Sequence, residues 1–111
     1  MTNELTTRIE AATGPDRALD YDIAYLTGIY FRNGGKALAY TASIDAALTL
    51  VPEGWRLANL SQYDPGDAKS TCSLVRMEAG YGALVKNRRW AVAATPALAL
   101  CIAALRAKEA L

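Results

Sequence analysis

The run Pro96-Ala97-Leu98-Ala99-Leu100-Cys101-Ile102-Ala103-Ala104-Leu105 contains no charged side chain. Thr95 supplies a hydroxyl cap and Pro96 suits the first helical position, so the run opens a helix that continues to about Lys108. Leu98, Ile102 and Leu105 form its core stripe, while Ala97, Leu100, Cys101 and Ala104 make much of the remaining girth apolar. Such a helix needs cover on more than one side. Its apolar part is shorter than the about 20 residues that span a bilayer. Two placements remain: the centre of a small domain, or a subunit interface. The second makes Leu100 an interface candidate and the protein a homo-oligomer.

What covers the helix must come from the rest of one domain, because 111 residues leave no room for a second core. Thr2 or Asn3 caps a first helix through about Ala12, with Leu5, Ile9 and Ala12 on one face. Pro15 and Asp16 begin a second helix, whose stripe is Leu19, Ile23 and Leu26 and whose stop is Gly28. Tyr21 and Tyr25 project roughly opposite to that stripe. Either the following segment folds back over both rings, or they form a partner surface. Residues 29–40 read as a loop around Asn33-Gly34-Gly35. Thr41 or Ser43 caps a third helix with Ile44, Ala47, Leu48 and Val51 as its stripe and Pro52 as its stop.

Residues 55–63 alternate loosely, placing Trp55, Leu57, Asn59 and Ser61 on one side of a strand. Asp64-Pro65-Gly66-Asp67 is a turn. Residues 70–78 form a clearer strand, with Cys72, Leu74 and Arg76 facing one way and Ser73, Val75 and Met77 the other. After Ala79-Gly80-Tyr81-Gly82, a third strand ends in Trp90-Ala91-Val92-Ala93-Ala94. The order α-α-α-β-β-β-α predicts an α+β sandwich-like domain, a three-stranded antiparallel sheet packed against helices, spanning residues 1–111.

Two segments resemble a known family. One is Leu19-Asp20-Tyr21-Asp22-Ile23-Ala24, followed after a loop by residues 39–55, which contain Tyr40-Thr41-Ala42-Ser43-Ile44-Asp45-Ala46-Ala47 and Gly54-Trp55. The other is Ala94-Thr95-Pro96 with the closing helix through Arg106. Together they resemble the phage ABA sandwich domain family, small proteins of bacteriophage and prophage genomes. The resemblance spans residues 19–106 but leaves 62–89 without a family pattern. It implies a sheet layered between helices and a phage or prophage origin, and no particular activity. Its shared residues are mostly structural: Thr41, Ile44 and Ala47 as cap and core, Trp55 as a plug at the core edge.

The chemistry points away from catalysis. The chain has no histidine, which removes His-based triads, His metal sites and the usual general base near neutrality. Asp20 and Asp22 sit on different faces of one helix and make a poor acid/base pair. Asn33-Gly34-Gly35-Lys36 lacks P-loop spacing. Cys72 and Cys101 lie among apolar neighbours and are expected to be buried reduced thiols. No catalytic residue, metal or cofactor is expected. Twelve Lys and Arg against eleven Asp and Glu give +1, which excludes a binder held on nucleic acid by bulk charge.

The one basic cluster is Lys86-Asn87-Arg88-Arg89-Trp90. Strand alternation puts Lys86, Arg88 and Trp90 on one face with Arg89 opposite, and Arg56 beside Trp55 extends the patch. As a functional patch, this set fits a nucleotide, RNA or an acidic protein surface. The expectation is a non-enzymatic accessory protein of the host cytoplasm, away from membranes, that counters a defence system. Its partners would be a host protein or a small nucleotide signal. The alternatives are a nucleic-acid-binding regulator and a virion assembly factor.

Overall fold

The last helix is the middle of the molecule. The computed structural model describes residues 2–32, 34–62, 69–77 and 85–109. Its elements in chain order are α1 (Thr2–Ala11), α2 (Arg17–Thr27), α3 (Ile29–Arg32), α4 (Ile44–Leu48), β1 (Trp55–Gln62), β2 (Ser70–Met77), β3 (Val85–Ala93) and α5 (Pro96–Glu109). Helix α5 lies across all three strands and also touches α1 and α4. The sheet is antiparallel in the order β1-β2-β3. The expected α+β fold, a three-stranded antiparallel sheet packed against helices, is therefore what the chain adopts. No helix among the described residues is long and apolar enough to cross a membrane.

Every side chain from Ala97 to Leu105 is buried by the chain itself. Leu100, expected at a subunit interface, is 0% exposed and belongs to the core. The correction has a simple cause. The sheet covers one side of α5, and Leu5, Ile9, Leu19, Ile23, Tyr40 and Leu50 join the same hydrophobic cluster. The apolar girth of α5 is used up inside one chain, so it gives no argument for self-association.

The caps follow the sequence closely. Thr95 Oγ1 accepts from Leu98 N–H at 3.2 Å at the start of α5. Ser43 caps α4 by accepting from Ala46 N–H. Helix α2 differs by one position: Asp16 is the cap, accepting from Ala18 and Leu19 N–H, and Pro15 lies outside it. Gly28 ends α2 at φ 79°, a left-handed conformation that returns its N–H to the Tyr25 carbonyl.

Two apolar stripes are only partly buried. Leu26 is exposed while Leu19 and Ile23 are buried. In α4, Ile44 and Leu48 are exposed, Val51 lies beyond the helix, and Ala47 with the following Leu50 takes the core positions. Residues 29–32, expected in a loop, form α3, because the Gly28 cap redirects the chain into a further turn. The segment does fold back over the tyrosines. Tyr30 meets Tyr21 edge-on at 6.5 Å and Tyr25 at 5.7 Å. Gly35 closes that turn under the Tyr30 ring, its N–H bonded to the Tyr30 carbonyl at 2.8 Å.

A buried carboxylate ties α2 to the segment before α4. Asp20 is 1% exposed and accepts from Thr41 N–H at 2.8 Å and Thr41 Oγ1–H at 2.7 Å. Arg17 pairs with its other oxygen at 3.0 Å and donates to the Ala37 carbonyl. Asp16 N–H donates to Thr41 Oγ1 at 2.9 Å. Of these, Asp20 and Thr41 belong to the segments on which the resemblance rests, and here they tie α2 to the segment before α4. Both cysteines are buried and unbridged, as expected.

Candidate binding face of the sheet

The two faces of the sheet are separated by register. On the α5 side stand Cys72 and Leu74 of β2, Ala91 and Ala93 of β3, and Trp55 of β1. The other face is built in rows across the strands. The first row is Arg56, Val75 and Arg88; the second is Asn59, Ser73 and Trp90; the third is Ser61, Thr71 and Val92. Among the described residues, α5 touches all three strands and α1 touches β3, while α2, α3 and α4 touch none; in these rows Arg56, Asn59 and Trp90 are exposed, and Ser73 and Val75 between them are buried.

Asn59 and Ser61 reach that outer face through a bulge. The register moves from Leu57↔Leu74 to Asn59↔Ser73, leaving Ala58 unpaired. An extra residue inverts the alternation beyond it. Trp55 and Leu57 therefore keep the core phase, while Asn59 and Ser61, expected on the same side as Trp55, turn outward. Nothing in the pattern Leu57-Ala58-Asn59-Leu60 marks a bulge, so the place of Asn59 beside Ser73 could not be found from sequence.

The expected basic patch is divided. Trp90 is 62% exposed on the outer face, with its backbone carbonyl held by Arg106 Nη1 at 2.9 Å. Arg56 is exposed on the same face, and its side chain makes no hydrogen bond or ion pair with another described residue. Position 88 shares that phase. Position 86 does not follow it by alternation, because the register jumps from Arg76↔Asn87 to Met77↔Val85 and leaves Lys86 between the pairs. The side chains of Lys86 and Arg88 lie outside the described residues, as do the turns expected at 64–67 and 79–82. Arg89 points to the α5 side, with its guanidinium 5.9 Å from the Trp55 ring centroid. It caps the edge of the core, and Trp55 is buried beneath it as expected of a plug.

Charge is distributed very unevenly. The strands hold five of the twelve cationic residues, Arg56, Arg76, Lys86, Arg88 and Arg89, and none of the eleven acidic ones. The strands thus carry +5 and the remainder of the chain −4, although the total is only +1. Four of these cations, at 56, 76, 88 and 89, fall in three consecutive rows at one end of the sheet. The row of Asn59, Ser73 and Trp90 comes next. The near-neutral total conceals this polarity. The closest acidic residue in sequence among those described is Glu53, exposed in the turn into β1.

Ser73 stands out within the second row. It is 8% exposed, and its hydroxyl has no hydrogen-bond partner among the described residues. A buried hydroxyl without a partner is costly, and such groups are uncommon in native structures. Asn59 on one side and Trp90 on the other are its cross-strand neighbours. Asn59 Oδ1 accepts from Ser61 Oγ at 3.1 Å, which leaves the amide NH2 directed elsewhere.

The tyrosine face is a weaker candidate. Tyr21 and Tyr25 remain 42% and 63% exposed, but Tyr30 packs on both rings and the Arg17 guanidinium lies 5.1 Å from the Tyr21 centroid. A groove of about 260 Å³ between α1 and α2 is lined by Glu4, Leu5, Arg8, Asp22, Tyr25 and Leu26. Its one cation is already paired, Arg8 with Asp22 at 2.7 Å. That leaves Glu4 to set the sign, which opposes a phosphate ligand.

Burial pushes the Cys72 thiol up to about 11 and the Cys101 thiol up to about 12. Cys101 also donates to the Tyr40 carbonyl at 3.3 Å. At neutral pH both are protonated, hence poor nucleophiles. Among the described residues, no group of three or more Cys, Asp or Glu is placed to hold a metal. No protein family matches this chain, and no curated protein or solved structure matches it either.

Proposed function

We infer that this chain is a non-enzymatic binding protein whose working surface is the outer face of the sheet and whose partner is anionic. The segregation of charge carries this reading: the strands hold five cations and no acid, and two of those cations, at positions 56 and 88, share the outer-face phase with the exposed indole of Trp90. Clustered charge of one sign steers an oppositely charged partner even when the net charge is near zero. Protonated buried thiols and the lack of histidine support binding over catalysis. The family resemblance supplies only the setting of a phage or prophage; for a small binding protein in that setting our reading is an accessory role in the host cytoplasm against a defence system. An open face suits a partner that lies across it better than a small signal held in an enclosed pocket.

Arg56→Glu tests the surface. It reverses charge on the open face at a residue that makes no described ion pair. The variant should keep its melting temperature and elute from immobilised heparin at clearly lower salt than the parent. Equal elution with intact folding would overturn the assignment of this face.

A further inference from the structure

Resting on that reading, we propose that the outer face binds single-stranded nucleic acid, one base stacking on Trp90 and the adjoining phosphates lying over the cationic end. Trp90 offers a large exposed ring on a strand position whose carbonyl is pinned by Arg106. That fixes a stacking platform at little cost in order. An acidic protein surface would use the cations but has no specific need for a flat exposed indole. Nucleic acid needs both, because every base has a π-face and every linkage a charge. A duplex keeps its bases inside, so a single ring standing on a sheet selects an unpaired strand.

The second observation is Ser73. Its hydroxyl is nine-tenths buried, lacks a partner among the described residues, and sits in the same row as Trp90. A base stacked on Trp90 would bring its polar edge toward Ser73 and the free amide hydrogens of Asn59. The row spans about 10 Å from β1 to β3, two strand spacings, which is the scale of a base with its sugar. Arg56 lies on the adjacent row at the opposite edge of the sheet from Trp90. The strand would therefore cross the sheet diagonally, from Trp90 toward Arg56.

The test is a titration of the full chain with oligothymidylate and oligouridylate of about ten nucleotides, inside the site sizes of such surfaces. Trp90 is the exposed indole and Trp55 the buried one, so stacking should quench the parent's fluorescence. Trp90→Ala should abolish the quench and, followed by anisotropy of a labelled oligonucleotide, weaken binding about tenfold or more. Ser73→Ala removes an unpartnered hydroxyl, so it should leave the melting temperature unchanged or raised while weakening binding several-fold. Affinity should fall steeply with salt, and the slope should shrink in Arg56→Glu. A matched duplex should bind more weakly than either single strand.

Several results would sink the proposal. Unchanged oligonucleotide affinity in folded Trp90→Ala is one. Equal affinity for duplex and single strand is another. Polyglutamate binding that depends on Arg56 but not on Trp90, with no oligonucleotide binding, would reject nucleic acid and retain an anionic protein partner. Loss of every polyanion interaction in the parent itself would reject the surface altogether.

Discussion

Replacing Thr41 by Val should destabilise the protein far more than replacing it by Ser. The Thr41 hydroxyl donates to the buried Asp20 carboxylate at 2.7 Å and accepts from Asp16 N–H at 2.9 Å. Its other acceptor, the Asp16 carbonyl, is more distant at 3.2 Å, so the proton belongs to Asp20. A charge-assisted bond is worth about 1.5–3 kcal/mol and a neutral one about 1. Thr41→Val removes one of each while keeping the shape, so the loss should be about 2–4 kcal/mol. Thr41→Ser keeps both bonds and gives up one buried methyl, about 0.8 kcal/mol. At roughly 4 °C or more per kcal/mol in a domain of this size, thermal melts should separate the variants by about 5–15 °C. Asp20→Ala should cost about 3–5 kcal/mol, because it strands the buried Thr41 N–H as well. Arg17 is more than half exposed, so solvent screens its share of the pair. The double variant Asp20→Ala/Thr41→Val should fall short of the sum of the singles by at least about 1 kcal/mol, since both remove one bond. If Thr41→Val melts with Thr41→Ser, or the singles add, the clamp is not holding α2 in place.

Leu100→Glu should unfold the chain, and Leu100→Ala should cost about 2–5 kcal/mol in urea denaturation, because Leu100 is wholly inside one chain; a folded Leu100→Glu monomer would contradict this. Gly28→Ala should cost about 1–2 kcal/mol. Nothing lies within 4 Å of the added methyl, so the loss is backbone strain alone and Gly28→Asn should recover part of it. Both thiols should resist labelling in native protein at pH 8 and react together only on unfolding. Their pKa values are raised on folding from 9.0 to about 11 and about 12, so the stability they contribute is full below pH 9 and lost as pH rises through those values. Urea midpoints should therefore fall across that alkaline range, and less so in the double Cys→Ala variant.

Every element but α3, and much of the core, is legible in the amino-acid pattern. Caps at Ser43 and Thr95 and the stop at Gly28 are local chemistry, settled within a few residues by orphaned backbone groups. The strand of 70–77 alternates cleanly enough to be read, the third strand is legible at its end in 90–94 but not at its start, and the need to bury α5 followed from its composition. What covered α5 was not legible, because an apolar girth states a need and not its supplier; only packing showed that the sheet and α1, α4 and the 37–50 segment meet it within one chain. The structural role of Asp20 was not legible, because its partner Thr41 lies 21 residues away. The outer face depended most on tertiary structure. One unpaired residue at Ala58 moved Asn59 to Ser73, and the register jump between Asn87 and Val85 left position 86 without a cross-strand partner. A bulge is the outcome of pairing two strands and has no signature in either one alone. Arg88, Arg89 and Trp90 are consecutive in the chain, yet alternation sends Arg89 to the core edge and leaves Trp90 in the open beside Ser73.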